Sequence, residues 1–155
     1  MNRVSIWNTR CSNKPATRKT KGWKIAMLNQ LKRLQEELNE TVDAVEEGDE
    51  LEVLDGLVDL QVVLDGAVFL SGLEAEEAFD AVMDNNDLKY TQRYDEAFDA
   101  VQHYGSDKFN IQEYVDEDGV SYYSVHRNSD NKICKLLEHP KVDLSEFLEV
   151  RDDAQ

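Results

Sequence analysis

Basic side chains are missing from the middle of this sequence. Between Arg33 and Lys89 there is no lysine or arginine, although residues 35–66 alone hold twelve carboxylates. Other scarcities narrow the field further. Only two cysteines occur, Cys11 and Cys134, and they stand singly, which supports neither a disulfide framework nor a thiolate metal site and fits a reducing cytoplasm. The three histidines, His103, His126 and His139, are not spaced as ligands. The longest apolar run, VVLDGAVFL, is interrupted by Asp65 and is too short to span a bilayer, and the opening residues lack the apolar segment of a signal peptide. A net charge of −16 repels nucleic acid and anionic membrane, so neither is expected as a partner.

What is present suits a folded protein of ordinary domain size: 155 residues, 41% hydrophobic and 32% charged. The charge is segregated. Residues 1–35 carry nine of the seventeen basic residues and no acid. Residues 1–22 read as a basic, irregular arm, with VSIW as a short strand or anchor. From Trp23 to Glu47, Met27, Leu31, Leu34, Leu38, Val42 and Val45 recur at helical spacing, and Gly48–Asp49 breaks that helix. A second helix, about 49–71, is apolar in almost every direction from Val53 onward, the pattern of a helix buried on all sides and hence of a subunit interface. Helices at about 74–88 and 92–103 follow, sharing the echo EAFDAV at 77–82 and 96–101, two similar amphipathic helices and not a repeat array. IQEYVDEDGVSYYSVHR alternates around an Asp-Gly turn and predicts a β-hairpin, and HPKVDLSEFLEV closes the chain as a loop with a short helix. The expected organisation is a basic arm (1–22), an all-α core of four-helix-bundle type (23–104) that is oligomeric, and a small β-hairpin extension with its tail (105–155) packed on that core.

The acids carry the chemistry. Glu36, Glu40, Asp43 and Glu47 form a stripe opposite the apolar face, which a solvated surface explains. Glu37 turns the corner of that stripe, on the wall that also holds Arg33, Glu40 and Ala44. Asp55 and Asp59 lie one turn apart, with Glu52 a turn before Asp55, and Asp59 sits among Leu57, Val58, Leu60, Val62 and Val63. An inward carboxylate must be neutralised or paired, and cations are few here. Several carboxylates without partners point to a metal ion, and an all-oxygen set selects Mg²⁺ or Mn²⁺ over zinc.

Glu36-Glu37-Leu-Asn-Glu40, followed by Asp55-Gly-Leu-Val-Asp59, resembles the paired acidic motifs of the all-α nucleoside triphosphate pyrophosphohydrolases, the MazG-like, dimeric dUTPase-like and phosphoribosyl-ATP pyrophosphatase-like superfamily. DGLVDLQVVLDGAVFLSGL is similar to the second helix of short MazG-like proteins of bacteriophages, Asn86 and Lys89 in NNDLK to a substrate-engaging Asn-x-x-Lys element, and DNKICKLLEHPKVDLSEF to the C-terminal segment. The likeness spans about residues 23–148. One departure stands out: many relatives carry Glu where this chain has Gly56, so the fourth ligand falls to Asp55 or Glu52, and Asp55 is the assignment made here.

The resemblance implies hydrolysis between the α- and β-phosphates, giving a nucleoside monophosphate and pyrophosphate. It implies metal binding by Glu37, Glu40, Asp55 and Asp59, with Glu36 a ligand or, like Glu37, a catalytic group that orients or deprotonates water. Lys89 and Asn86 would contact phosphate and sugar. Arg33 is a phosphate contact or a partner for a nearby acid. Trp7, Trp23 and Asn8 are available to read a base or to anchor the arm. The expected assembly is a homodimer or homotetramer. The MazZ-like phage group, which acts on dGTP, makes dGTP the expected substrate, in the host cytoplasm. Phosphoribosyl-ATP, dUTP or dCTP hydrolysis on the same scaffold is the alternative, and a non-enzymatic acidic interaction module or DNA mimic is the rival class.

Overall fold

A computed structural model describes residues 2–148 and is mostly helical, with a small C-terminal antiparallel sheet. The end of the predicted tail, 149–155, lies outside the described residues. The chain divides into two compact units, residues 1–74 and 75–155.

The first unit begins with a correction. The basic arm is not irregular at its start, nor is VSIW a strand: α1 spans Arg3–Arg10. Asn2 explains it, because its side-chain oxygen accepts the Ser5 N–H at 2.9 Å, satisfying one of the donors a helix start leaves open. The helix then packs against α3, giving a short segment the tertiary support it needs. The rest of the arm is tied down by Ala16 N–H donating to the Leu70 carbonyl (2.9 Å).

Helix α2 runs Lys21–Glu47, opened by Thr20, whose hydroxyl accepts the Trp23 N–H. Gly48, at φ 74°, closes it in the left-handed conformation that glycine adopts without strain. Asp49 then caps α3 (Glu50–Ser71), its carboxylate accepting from Leu51 and Glu52 N–H. With so short a connection the two helices fold back on each other as a hairpin, the principal contact of this unit.

That contact is tight at one point. A Cβ added to Gly56 would lie 2.3 Å from Thr41 Oγ1 and 3.3 Å from Thr41 Cα. Glycine at 56 is therefore what lets α3 approach α2 here, and the longer side chain of many relatives has no room at this position. Thr41 is itself buried, its hydroxyl donating to the Glu37 carbonyl at 2.7 Å.

Within one chain α3 is not buried on all sides, as its composition alone suggests. Leu51, Leu54, Leu57, Val58, Val62 and Leu64 are between 44% and 73% exposed, and Leu28, Leu31, Leu38, Val42 and Val45 of α2 are likewise exposed.

The second unit holds α4 (Ala75–Asp87), β1 (Tyr90–Thr91), α5 (Tyr94–Tyr104), β2 (Phe109–Val115), β3 (Ser121–Arg127), β4 (Ile133–Cys134) and a 3-10 turn at Ser145–Leu148. The predicted hairpin is β2–β3, antiparallel from Phe109↔Arg127 to Val115↔Ser121. Its turn is held by Asp116, whose Oδ1 accepts from Asp118 and Val120 N–H, with Gly119 at φ 78°. The other edge of β3 is shared by β1 and β4, both antiparallel. The boundary between the two units falls after Glu74. The reason is packing: Ala97, Ala100 and Val101 of α5 are buried together with Val125 of β3.

Overpacking a tight contact costs roughly 1–3 kcal/mol. Gly56→Ala should therefore lower the melting temperature by several degrees, and adding Thr41→Ala should recover part of the loss. Calorimetry of the two variants and the double variant checks this; an unchanged Gly56→Ala melt would mean the helices are not in this contact.

Candidate active site

The hairpin of α2 and α3 forms an open cleft of about 280 Å³ lined by Glu37, Glu40, Asp43, Ala44, Glu47, Glu52, Asp55, Gly56 and Asp59. Helical geometry explains the set: residues three and four apart share a face, so 37, 40, 44 and 47 of α2 meet 52, 55, 56 and 59 of α3. Gly56, the point of close approach to Thr41, also lines the cleft beside these acids.

Seven carboxylates line this cleft and no lysine or arginine does. Their effect is legible at Glu37. Partial burial first, then the negative charges of Asp59, Glu40, Glu36 and Asp55, push its carboxyl above the ordinary value. Charges on both helices are thus felt at one side chain.

The four acids assigned to a metal, Glu37, Glu40, Asp55 and Asp59, come together in the cleft, and so does Glu52, the other candidate for fourth ligand. Glu36 does not line it, though its charge reaches Glu37. Asp59 differs from its expected surroundings: its apolar neighbours in sequence do not bury it in the single chain. Asp43 and Glu47, read as a solvated stripe, line the cleft too. The donor chemistry suits a hard divalent cation, since every charged lining group is an oxygen donor. Among the described residues, no three carboxylate, histidine or cysteine side chains converge as they stand on one point able to hold a metal ion.

Arg33 lies elsewhere. It lines a separate groove of about 430 Å³ with Trp7, Asn8, Asn29, Gln30, Val62, Val63 and Gly66, where α1 covers α2 and α3. Among the described residues it is in no ion pair, so a salt bridge to a nearby acid is not formed. Trp23, in the first turn of α2, donates its Nε1–H to the carbonyl of Ser71 at the end of α3 at 2.9 Å. Asn8 is buried and occupied, donating to the Val4 carbonyl and accepting from Asn13 Nδ2.

Asn86 and Lys89 belong to the second unit. Lys89 Nζ donates to Asn86 Oδ1 at 2.6 Å, and both line a cavity of about 710 Å³ with Tyr90, Tyr114, Asp116, Tyr122, Ser124 and Ile133. Sequence reading missed these aromatics. The alternation in SYYSVHR places Tyr122, Ser124 and His126 on one face of β3, but only strand pairing brings Tyr90 and Tyr114 beside them.

Against this geometry, residues 10–86 match the family model for Phosphoribosyl-ATP pyrophosphohydrolase. The match takes in α2, α3, α4 and the whole acidic cleft, and stops short of Lys89 and the sheet. Residues 10–86 therefore carry a domain of this family, which belongs to the MazG-like all-α nucleoside triphosphate pyrophosphohydrolases. It is a nucleotide pyrophosphohydrolase, a hydrolase acting on acid anhydrides, and the family is generally dependent on a divalent metal. No curated protein and no solved structure shows a significant match to the chain. No helix among the described residues is long and apolar enough to cross a membrane.

If these acids are the working groups, Glu37→Ala and Asp59→Ala should abolish pyrophosphate release. Neither should lower the melting temperature of the metal-free protein, because each removes a charge from a crowded set. Glu46→Ala is the control, since Glu46 is on α2 but does not line the cleft. Equal loss of activity in all three would place the working wall of α2 elsewhere.

Proposed function

We propose that the chain hydrolyses the α–β phosphoanhydride of a nucleoside triphosphate, releasing a nucleoside monophosphate and pyrophosphate, with dGTP the preferred substrate and Mg²⁺ or Mn²⁺ required. One observation carries the reading: Glu37, Glu40, Asp55 and Asp59 share a cleft with no basic residue among its lining groups. Such a cleft repels a bare triphosphate. A divalent cation bound by those four acids would reverse the local field and neutralise phosphate oxygens.

The chain's own part is to orient water and take its proton. Water attacks phosphorus, the bond to the bridging oxygen breaks, and pyrophosphate leaves with the electron pair. The proton passes to Glu37 or Glu36. Glu37 has the better position, because it lines the cleft and Glu36 does not. Lys89, held by Asn86, is the proposed phosphate contact, with Asn86 toward phosphate or sugar. Arg33, free of ion pairs among the described residues, is a further proposed phosphate contact.

The choice of dGTP rests on the likeness to phage enzymes of the MazZ-like group. Phosphoribosyl-ATP is the second reading, favoured by the family whose model matches. Purified protein should release pyrophosphate, not orthophosphate, from dGTP with Mg²⁺ or Mn²⁺, and EDTA should stop it. Specificity constants for dGTP, dATP, dCTP, dUTP, dTTP and phosphoribosyl-ATP under one metal condition rank the substrates. A pyrimidine preference overturns the guanine choice alone. No turnover of any of them would favour an acidic interaction module.

We also propose that two copies pair through the apolar faces of α2 and α3 into a four-helix core, with a tetramer formed as a pair of such dimers. The support is the row Leu51, Leu54, Leu57 and Val58, each more than half exposed in the single chain. Light scattering at micromolar concentration should give at least a dimer, and a monomer would refute the pairing.

A further inference from the structure

The sheet of the second unit has two faces with different work. Tyr123 and Val125 point to α5, where Tyr123 also meets Tyr94 edge to face at 5.4 Å. The alternate residues Tyr122 and Ser124 line the 710 Å³ cavity, joined by Tyr90 from β1 and Tyr114 from β2. Register produces this: Tyr90 and Gln112 flank Ser124 on either side, and Tyr114 pairs with Tyr122. Tyr122 contacts Tyr90 edge to face at 5.6 Å and Tyr114 at 6.4 Å. Tyr114 is nonetheless 66% exposed, so much of its ring is available for stacking on something else.

The polar groups of the cavity have defined roles. His126, buried, has Nδ1 3.1 Å from the Asn131 backbone carbonyl, which can only accept. In the neutral ring Nδ1 therefore carries the hydrogen, and Nε2, 2.8 Å from Ser124 Oγ, is the acceptor. The Ser124 hydroxyl donates to His126, which leaves Ser124 as an acceptor toward the cavity. Asn131 is fixed in turn by Gln112, whose Nε2 lies 2.7 Å from Asn131 Oδ1. Asp116 is engaged by the turn through its Oδ1. Lys89 supplies the cation, and among the described residues it is in no ion pair.

We infer that this cavity binds a nucleotide whose base carries an exocyclic amine, the ring stacking on the tyrosines, the amine donating to Ser124 and a phosphate meeting Lys89. A volume of 710 Å³ lies within the range of small-molecule sites, and a planar ring, a donor and an anion are what the lining groups complement. The inference rests on the proposed function for Lys89 as a phosphate contact, whereas the choice of base rests on Ser124, His126 and Asn131. Five of the cavity's residues, Tyr114, Asp116, Tyr122, Ser124 and Ile133, lie well beyond the matched family span, so this is an addition to the family's domain.

Nucleoside monophosphates test it, because they bind without being split. Isothermal titration of the full chain with GMP and AMP against IMP, and with CMP against UMP, compares aminated bases with deaminated counterparts. In at least one pair the aminated nucleotide should bind about tenfold tighter, the size of one hydrogen bond to a site that otherwise keeps an unpaired acceptor. Ser124→Ala should bring that ratio to near unity while IMP or UMP binding persists, and Ser124→Thr should restore it. Tyr114→Ala, at an exposed position that tolerates change, should weaken both members of the pair and keep their ratio. Absence of binding, equal affinities in every pair, or a ratio that survives Ser124→Ala overturns the inference. Pyrophosphate release without amine discrimination sinks it alone and leaves the hydrolytic reading, and discrimination without pyrophosphate release does the reverse.

Discussion

The acidic cleft depends on how closely α3 can approach α2, and that distance is set where Gly56 meets Thr41. The two helices have little electrostatic reason to pack, since their facing residues repel. Backbone capping by Thr20, Asp49 and Gly48 fixes their ends and the reversal between them. Contact between small groups then holds the middle. Glycine at 56 serves the packing and excludes the acid that many relatives carry there, leaving Asp55 and Glu52 as the acids nearby. A single missing methyl group so links the stability of the hairpin to the composition of the site.

The cleft is arranged at a cost to the unliganded protein. Partial burial and then the charges of Asp59, Glu40, Glu36 and Asp55, from both helices, raise the proton affinity of Glu37. Sites that concentrate like charge are common where a cation or substrate completes the balance. The exposed apolar residues of the same helices have a parallel meaning, because a surface of Leu and Val is poorly suited to water until something covers it. Charge on one side of the hairpin and apolar surface elsewhere are thus both uncovered in the single chain.

How much of this could be read in advance differs from residue to residue. The first four long helices and the hairpin were legible because apolar spacing and glycine or Asp-Gly breaks are local signals, and the observed α2, α3, α4, α5 and β2–β3 follow them closely. Helix α1 was not, because an eight-residue segment is too short to hold a helix by propensity alone, and docking on α3 supplies what it lacks. Strands β1 and β4 are two residues each and exist only by pairing with β3. The repeated EAFDAV is the clearest case. The same six residues leave Ala78 and Ala81 half-buried in α4 but bury Ala97 and Ala100 in α5, because only α5 has the sheet to pack against.

Local order along the chain determined the helices, the hairpin, the acidic motifs and, through their spacing on helical faces, which carboxylates could share a wall. Tertiary structure alone decided the rest. It brought Asp43 and Glu47 into the cleft, left Asp59 exposed, and separated Arg33 into another groove. It also set Tyr90, Tyr114 and Tyr122 around Ser124. The physical reason is the range of the interactions: periodicity and capping act over a few residues and are written in sequence, whereas burial, cross-strand register and the sum of distant charges belong to the folded chain.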